Sequence, residues 1–178
     1  ALTPDHYVYR YDVSEDGSAY LVMALLEGET LRHRWDANDQ RLTFEEALNV
    51  ADRVLEMLTV AHAVGVIHRD LKPDNIFLEK SGAVRVLDFG VARMRDDLAI
   101  RTETGHVLGT PAYMSPEQAR GRVDEVDHRT DLWAVAAVVF FLVSGRSVRS
   151  GATPTEALVL AVTEPVASLK VACPAAPE

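Results

Sequence analysis

Residues 68–75 read HRDLKPDN and place His68, Arg69, Asp70, Lys72, Asp74 and Asn75 almost side by side. The apolar pairs Val66–Ile67 and Ile76–Phe77 close in on this stretch from both ends. An ordinary surface loop would be polar without such flanks, and a core strand would not carry the charges. The combination describes a rigidly held loop that presents carboxylate, amide and cation to something outside it. Taken singly, an Asp–Lys or Asp–Asn pair in a loop is most often a turn former or a solvated charge. Asp74 fits that description, and His68 reads as a packed structural histidine.

The elements that must hold this loop are legible around it. YVYRYDV (7–13) and AYLVMALL (19–26) flank the turn SEDG and predict a hairpin, after which EGETL (27–31) breaks the run. From Thr43 to Ala63, the residues Phe44, Ala47, Leu48, Ala51, Val54, Leu55, Leu58 and Ala61 recur at helical spacing. Thr43 and Glu46 form a capping box at the start of that helix, and Gly65 supplies its stop. NIFLE and AVRVLD, joined by KSGA, predict a second small hairpin. Residues 91–114 lack periodicity and hold Gly105, Gly109 and Pro111, so they read as a long loop, a feature usually functional in a compact domain. A buried helix is expected over 129–144, a short one over 154–163, and a frayed end at ACPAAPE.

Composition narrows the function classes. A chain of 178 residues with 48% apolar and 25% charged residues can bury a sizeable core. Its net charge of −9 argues against broad nucleic-acid binding, which needs a basic face. Cys173 is the only cysteine, so no intrachain disulfide can form and a reducing, cytoplasmic setting is expected. The six histidines show no zinc-ligand spacing. LWAVAAVVFFLV (132–143) is too short to cross a bilayer. The chain opens on Ala1 and first reaches methionine at Met23, which gives it the look of a segment; anchoring through residues outside it stays open.

HRDLKPDN (68–75), DFG (88–90) and GTPAYMSPEQARG (109–121), in that order, resemble the catalytic core of protein kinases, most closely bacterial serine/threonine kinases of the eukaryotic-like type. The resemblance runs from about Tyr7 to Gly145. It implies an α+β fold: a mostly helical large lobe with a remnant of the small-lobe sheet and the hinge. Residues 1–26 would be the small-lobe remnant and the start of the hinge, and 27–178 the rest of the hinge and an incomplete large lobe.

The same resemblance assigns roles for moving the γ-phosphoryl of ATP to serine or threonine hydroxyls of proteins. Asp70 would orient the acceptor hydroxyl and take its proton, and Lys72 would contact the transferred group. Asn75 and Asp88 would hold magnesium, or manganese in its place, as hard oxygen donors. Arg69 would couple an activation-loop phosphate to the catalytic loop, with Thr102 and Thr104 as autophosphorylation sites. Thr110 would touch the catalytic loop, and Asp131 would be a buried carboxylate bonded to that loop's backbone. Met23, with the backbone of Ala24 and Leu26, would hold adenine. The partners implied are protein substrates, with self-association or dimerisation for autophosphorylation.

The departures from the pattern are also plain. No glycine-rich phosphate loop is present, nor the strand lysine and helix glutamate that accompany it. Glu117 of SPE lacks the late arginine it normally pairs with. Ala136 stands where the family usually has glycine, which should tighten packing. The alternative to an enzyme is a degenerate, non-catalytic binding module, and the segment alone is expected to be inactive. The intact set Asp70, Lys72, Asn75 and Asp88 favours the enzyme.

Overall fold

The computed structural model describes residues 8–14, 16, 18–88, 111–149, 151, 153–166 and 168–174. Strands β1 (Val8–Val13) and β2 (Ala19–Met23) pair antiparallel, with Tyr11 opposite Leu21 and Val13 opposite Ala19. Asp16 ties the turn by accepting from the Ser14 hydroxyl and the Ser18 N–H. These bonds hold the Asp16 carboxyl below its usual pKa.

The stretch EGETL does more than break the run. Gly28–Thr30 form β3, which pairs with β4 (Ile76–Glu79), and β4 pairs with β5 (Val84–Val86) in an antiparallel sheet of order β3-β4-β5. Glycine is required at the start of β3, because a Cβ on Gly28 would lie 2.0 Å from the Leu78 carbonyl oxygen. Helix α1 (Leu31–Ala37) follows at once, its first turn capped by Thr30, whose hydroxyl accepts the His33 N–H at 3.1 Å. Leu31 and Trp35, one turn apart, turn inward.

Helix α2 (Phe44–Ala63) carries the reciprocal Thr43–Glu46 capping box. Its buried stripe is Ala47, Ala51, Val54 and Leu58. Leu48 and Leu55, counted on the same periodic face, are 47% and 37% exposed, because only one narrow row of the helix meets its neighbour. That neighbour is α4 (His128–Ser144), entered through an Asp127 cap and left through Gly145 at φ 71°. Helix α4 is apolar almost all round and buried along most of its length. Ala136 is an exception: it is exposed, so its methyl group tightens no packing.

The short α3 (Pro116–Ala119) begins with a Ser115–Gln118 capping box, and α5 (Pro154–Thr163) and α6 (Leu169–Ala172) complete the described helices. One core gathers Leu31 and Trp35, the α2 stripe, Leu71, Ile76, Val86, Tyr113 and the inner face of α4. Leu58 and Leu142, both essentially inaccessible, each contribute about 2 kcal/mol of transfer free energy to it. Of the long loop read at 91–114, the part up to Thr110 lies outside the described residues, and Pro111–Tyr113 form a 3-10 turn. Residues 66–75 run between α2 and β4, over this core.

Candidate active site

The loop owes its shape to one buried carboxylate. Asp131, in the first turn of α4, is 0% exposed. Its Oδ1 accepts the Arg69 N–H at 2.9 Å, and its Oδ2 accepts the His68 N–H at 2.9 Å. His62 Nε2, from the last turn of α2, lies 2.7 Å from the same Oδ2. Two helices and the loop therefore meet on one buried side chain whose oxygens are well used as acceptors. The bond to Arg69 accompanies a left-handed backbone there, φ 68°, a costly conformation for a residue with a Cβ.

A second clamp joins the loop to the residues after β5. The His68 ring is fully buried, and its Nε2 lies 2.8 Å from the Leu87 carbonyl oxygen. Nδ1 faces the Asp70 N–H at 3.3 Å. A carbonyl on one nitrogen and an N–H on the other define the tautomer with the proton on Nε2. The Leu87 N–H in turn donates to the Asn75 carbonyl at 2.8 Å. Asp88, next along the chain, is exposed with φ 61°, so its carboxylate starts from a backbone bracketed by His68 and Asn75. Burial of Pro73 and Asn75 in a 3-10 turn completes the frame.

Asp70 is presented asymmetrically. Lys72 Nζ donates to its Oδ2 at 3.1 Å, and Asn75 Nδ2 approaches the same oxygen at 3.4 Å while donating to the Asp70 carbonyl at 2.8 Å. No described residue donates to Oδ1. A quarter of the side chain is exposed, so one oxygen is steadied and the other can meet an incoming hydroxyl. Asn75 is likewise divided: its nitrogen is spent on Asp70, leaving its amide oxygen uncommitted among the described residues. That oxygen and the Asp88 carboxylate make a donor set suited to a hard divalent cation.

The far side of the loop rests on α3. Gln118 Nε2 donates to the Arg69 carbonyl at 2.7 Å, so the cap that starts α3 also props the loop over 66–75. Glu117, read as lacking its usual arginine, accepts instead from the Thr130 hydroxyl. Burial pushes the Glu117 pKa up, but the Thr130 and Ser115 hydroxyls and its own backbone outweigh it and hold the carboxyl below its ordinary value. Tyr113 packs edge-on against Phe141 with centroids 6.0 Å apart, and burial drives its hydroxyl pKa well above the usual value.

Of the residues expected to hold adenine, Met23 closes β2 at 42% exposed, and Ala24 and Leu26 follow half-buried in the connection to β3. Phe89, Gly90, Thr102, Thr104 and Thr110 lie outside the described residues. Sequence reading missed His62, Gln118 and Thr130. A polar residue in the last turn of α2 or at the fourth position of a capping box carries no mark of a second partner 49 or 69 positions away.

The protein kinase domain model matches residues 6–175. The chain belongs to the protein kinase family. This kinase-domain chain is 40% identical over 149 residues to the serine/threonine-protein kinase pkn3 of Myxococcus xanthus, covering 78% of itself and 26% of that relative. It is 42% identical over 131 residues to Pkn1 of the same organism, covering 71% of itself and 18% of the relative. Against serine/threonine-protein kinase PknB of Mycobacterium leprae it is 36% identical over 159 residues, covering 86% of itself and 25% of the relative. The kinase-domain chain thus spans about a quarter or less of the length of these relatives. The family implies a nucleotide, a divalent metal and protein substrates. Among the described residues, no helix is long and apolar enough to cross a membrane.

Proposed function

We propose that residues 1–178 are the core of a serine/threonine protein kinase that passes the γ-phosphoryl group of ATP, with magnesium, to protein hydroxyls. The observation that carries this reading is the division of labour at Asp70. Lys72 and Asn75 fix Oδ2, and Oδ1 is left to accept a hydroxyl hydrogen bond. Orientation is the main task of a catalyst for a reaction whose transition state needs little covalent help.

In this mechanism Asp70 Oδ1 aligns the acceptor oxygen and receives its proton as that oxygen bonds to the γ-phosphorus and the bond from phosphorus to the β,γ-bridging oxygen breaks, releasing ADP. Lys72, already beside Asp70, offers its ammonium to the phosphoryl oxygens as charge passes through the site. Asn75 through its amide oxygen and Asp88 through its carboxylate would hold magnesium, which neutralises phosphate charge when bound. The Asp131 and His68 clamps keep these four side chains in register. Met23, Ala24 and Leu26 would receive adenine, and Thr102, Thr104, Thr110 and Arg69 would form the activation apparatus.

Exposed Val13, Tyr20 and Val22 on the β1–β2 hairpin support the further expectation that the segment alone self-associates. The reading is tested by incubating the intact protein with radiolabelled ATP and a mixed protein substrate, then hydrolysing the product. Labelled phosphoserine and phosphothreonine are expected; label confined to phosphotyrosine, or none, would refute it.

A further inference from the structure

Arg69 stands immediately before Asp70 and keeps a left-handed backbone, φ 68°, which a residue with a Cβ adopts only when its surroundings impose it. Both peptide units that meet at its Cα are held from outside the loop. The Arg69 N–H donates to Asp131 Oδ1 at 2.9 Å, and the Arg69 carbonyl oxygen accepts from Gln118 Nε2 at 2.7 Å. That carbonyl shares a rigid peptide plane with the Asp70 N–H, which faces His68 Nδ1 at 3.3 Å. Gln118 is therefore one hydrogen bond away from the plane on which Asp70 is mounted.

The groups around Gln118 leave its amide a single orientation. Its Oε1 accepts from the Ser115 N–H and the Ser115 hydroxyl, both at 3.2 Å, so Nε2 is the end that meets Arg69. Ser115 is fully buried, which fixes the acceptor end. Helix α3 is tied in turn to α4, because Glu117 accepts from the Thr130 hydroxyl. Thr130 adjoins Asp131, and Glu117 adjoins Gln118. Hydrogen bonds and two chain steps thus close a ring through Arg69, Asp131, Thr130, Glu117 and Gln118. A network of this kind holds its members more firmly than isolated bonds do.

We propose that Gln118 is a positioning residue for Asp70: its side-chain amide sets the peptide plane from which the Asp70 carboxylate projects. That Asp70 serves phosphoryl transfer rests on the kinase reading above; that Gln118 sets its backbone does not. Capping alone would ask something different of this position. The last residue of a capping box can be glutamate as readily as glutamine, and Gln118→Glu keeps an oxygen for Ser115. The same substitution replaces the donor that faces the Arg69 carbonyl with a second acceptor.

Gln118→Glu in the intact protein separates the two roles through two readouts. Residue-resolved amide hydrogen exchange should show protection at Arg69 and Asp70 falling about tenfold, with the core amides of α2 and α4 unchanged. The kcat for transfer from ATP should fall about tenfold while the KM for ATP holds. In an Asp70→Asn background the same substitution should cost less than about twofold, because Gln118 acts through Asp70. Gln118→Met, which drops the donor without adding charge, should give the same pattern and decides alone if the glutamate variant does not fold. Exchange at Arg69 and Asp70 that matches the parent would overturn the proposal. So would a loss of protection spread evenly through the core, or an equal fall in kcat with and without Asp70. A parent protein that transfers nothing would refute the kinase reading alone, and the exchange comparison would still decide the role of Gln118.

Discussion

His68 Nε2 and the Leu87 carbonyl oxygen lie 2.8 Å apart, joining the loop of Asp70 to the backbone that leads into Asp88. A phenylalanine at 68 would fill much of the imidazole's volume while leaving the Leu87 carbonyl and the Asp70 N–H without partners. His68→Phe is therefore expected to cost about 1–3 kcal/mol in denaturant unfolding. Its transfer rate should fall further than that of a surface control, because Asp70 and Asp88 lose their common reference.

Asp131 is the more severe case. Asparagine keeps the shape but turns one acceptor into a donor, which must face either a backbone N–H or the His62 ring. Asp131→Asn should destabilise the protein by about 3–5 kcal/mol, read from the denaturation midpoint. His62→Gln, which removes only one of the three donors, should cost about 1 kcal/mol.

Glu117 gives a pH-dependent prediction. Its folded pKa lies below the ordinary value of 4.5, so the unfolded chain binds its proton first as pH falls. The stabilisation is complete above the unfolded pKa and disappears as pH drops through the depressed folded one. Thr130→Val removes a hydroxyl donor and should lower stability at neutral pH by about 1 kcal/mol, the low end for a charged acceptor because Glu117 is half-buried. The variant should also lose less stability than the parent on acidification below about pH 4.5, as thermal melts across that range would reveal.

Asp88 supplies the metal prediction. With Asn75 contributing one amide oxygen, removal of the only carboxylate of the proposed pair should weaken magnesium-dependent ATP binding by about tenfold or more. Calorimetric titration of Asp88→Ala with and without magnesium gives the difference. An unchanged magnesium dependence would leave Asp88 with a structural role alone.

Much of this was legible in the sequence, for identifiable reasons. The α2 capping box, the β4–β5 hairpin and the span of α5 are local features, and local patterns announced them. Strand β3 and helix α1 were not anticipated, since EGETL carries a turn-like glycine whose purpose appears only when Leu78 passes 2.0 Å from where its Cβ would be. The Glu117–Thr130 pair was missed for a similar reason: a threonine one position before Asp131 gives no sign of which distant carboxylate it serves. Leu48 and Leu55 show the converse limit, for helical spacing identifies an apolar face but not how wide a strip of it the neighbouring helix covers.

Asp70, steadied by Lys72 and Asn75 through one oxygen, is proposed to orient and deprotonate the acceptor with the other. The most direct test compares the intact protein with Asp70→Asn, measuring phosphoryl transfer from ATP and nucleotide affinity on the same preparations. Transfer is expected to fall about a hundredfold to ten-thousandfold, with nucleotide affinity nearly unchanged. Transfer by Asp70→Asn at close to the parent rate would contradict this role.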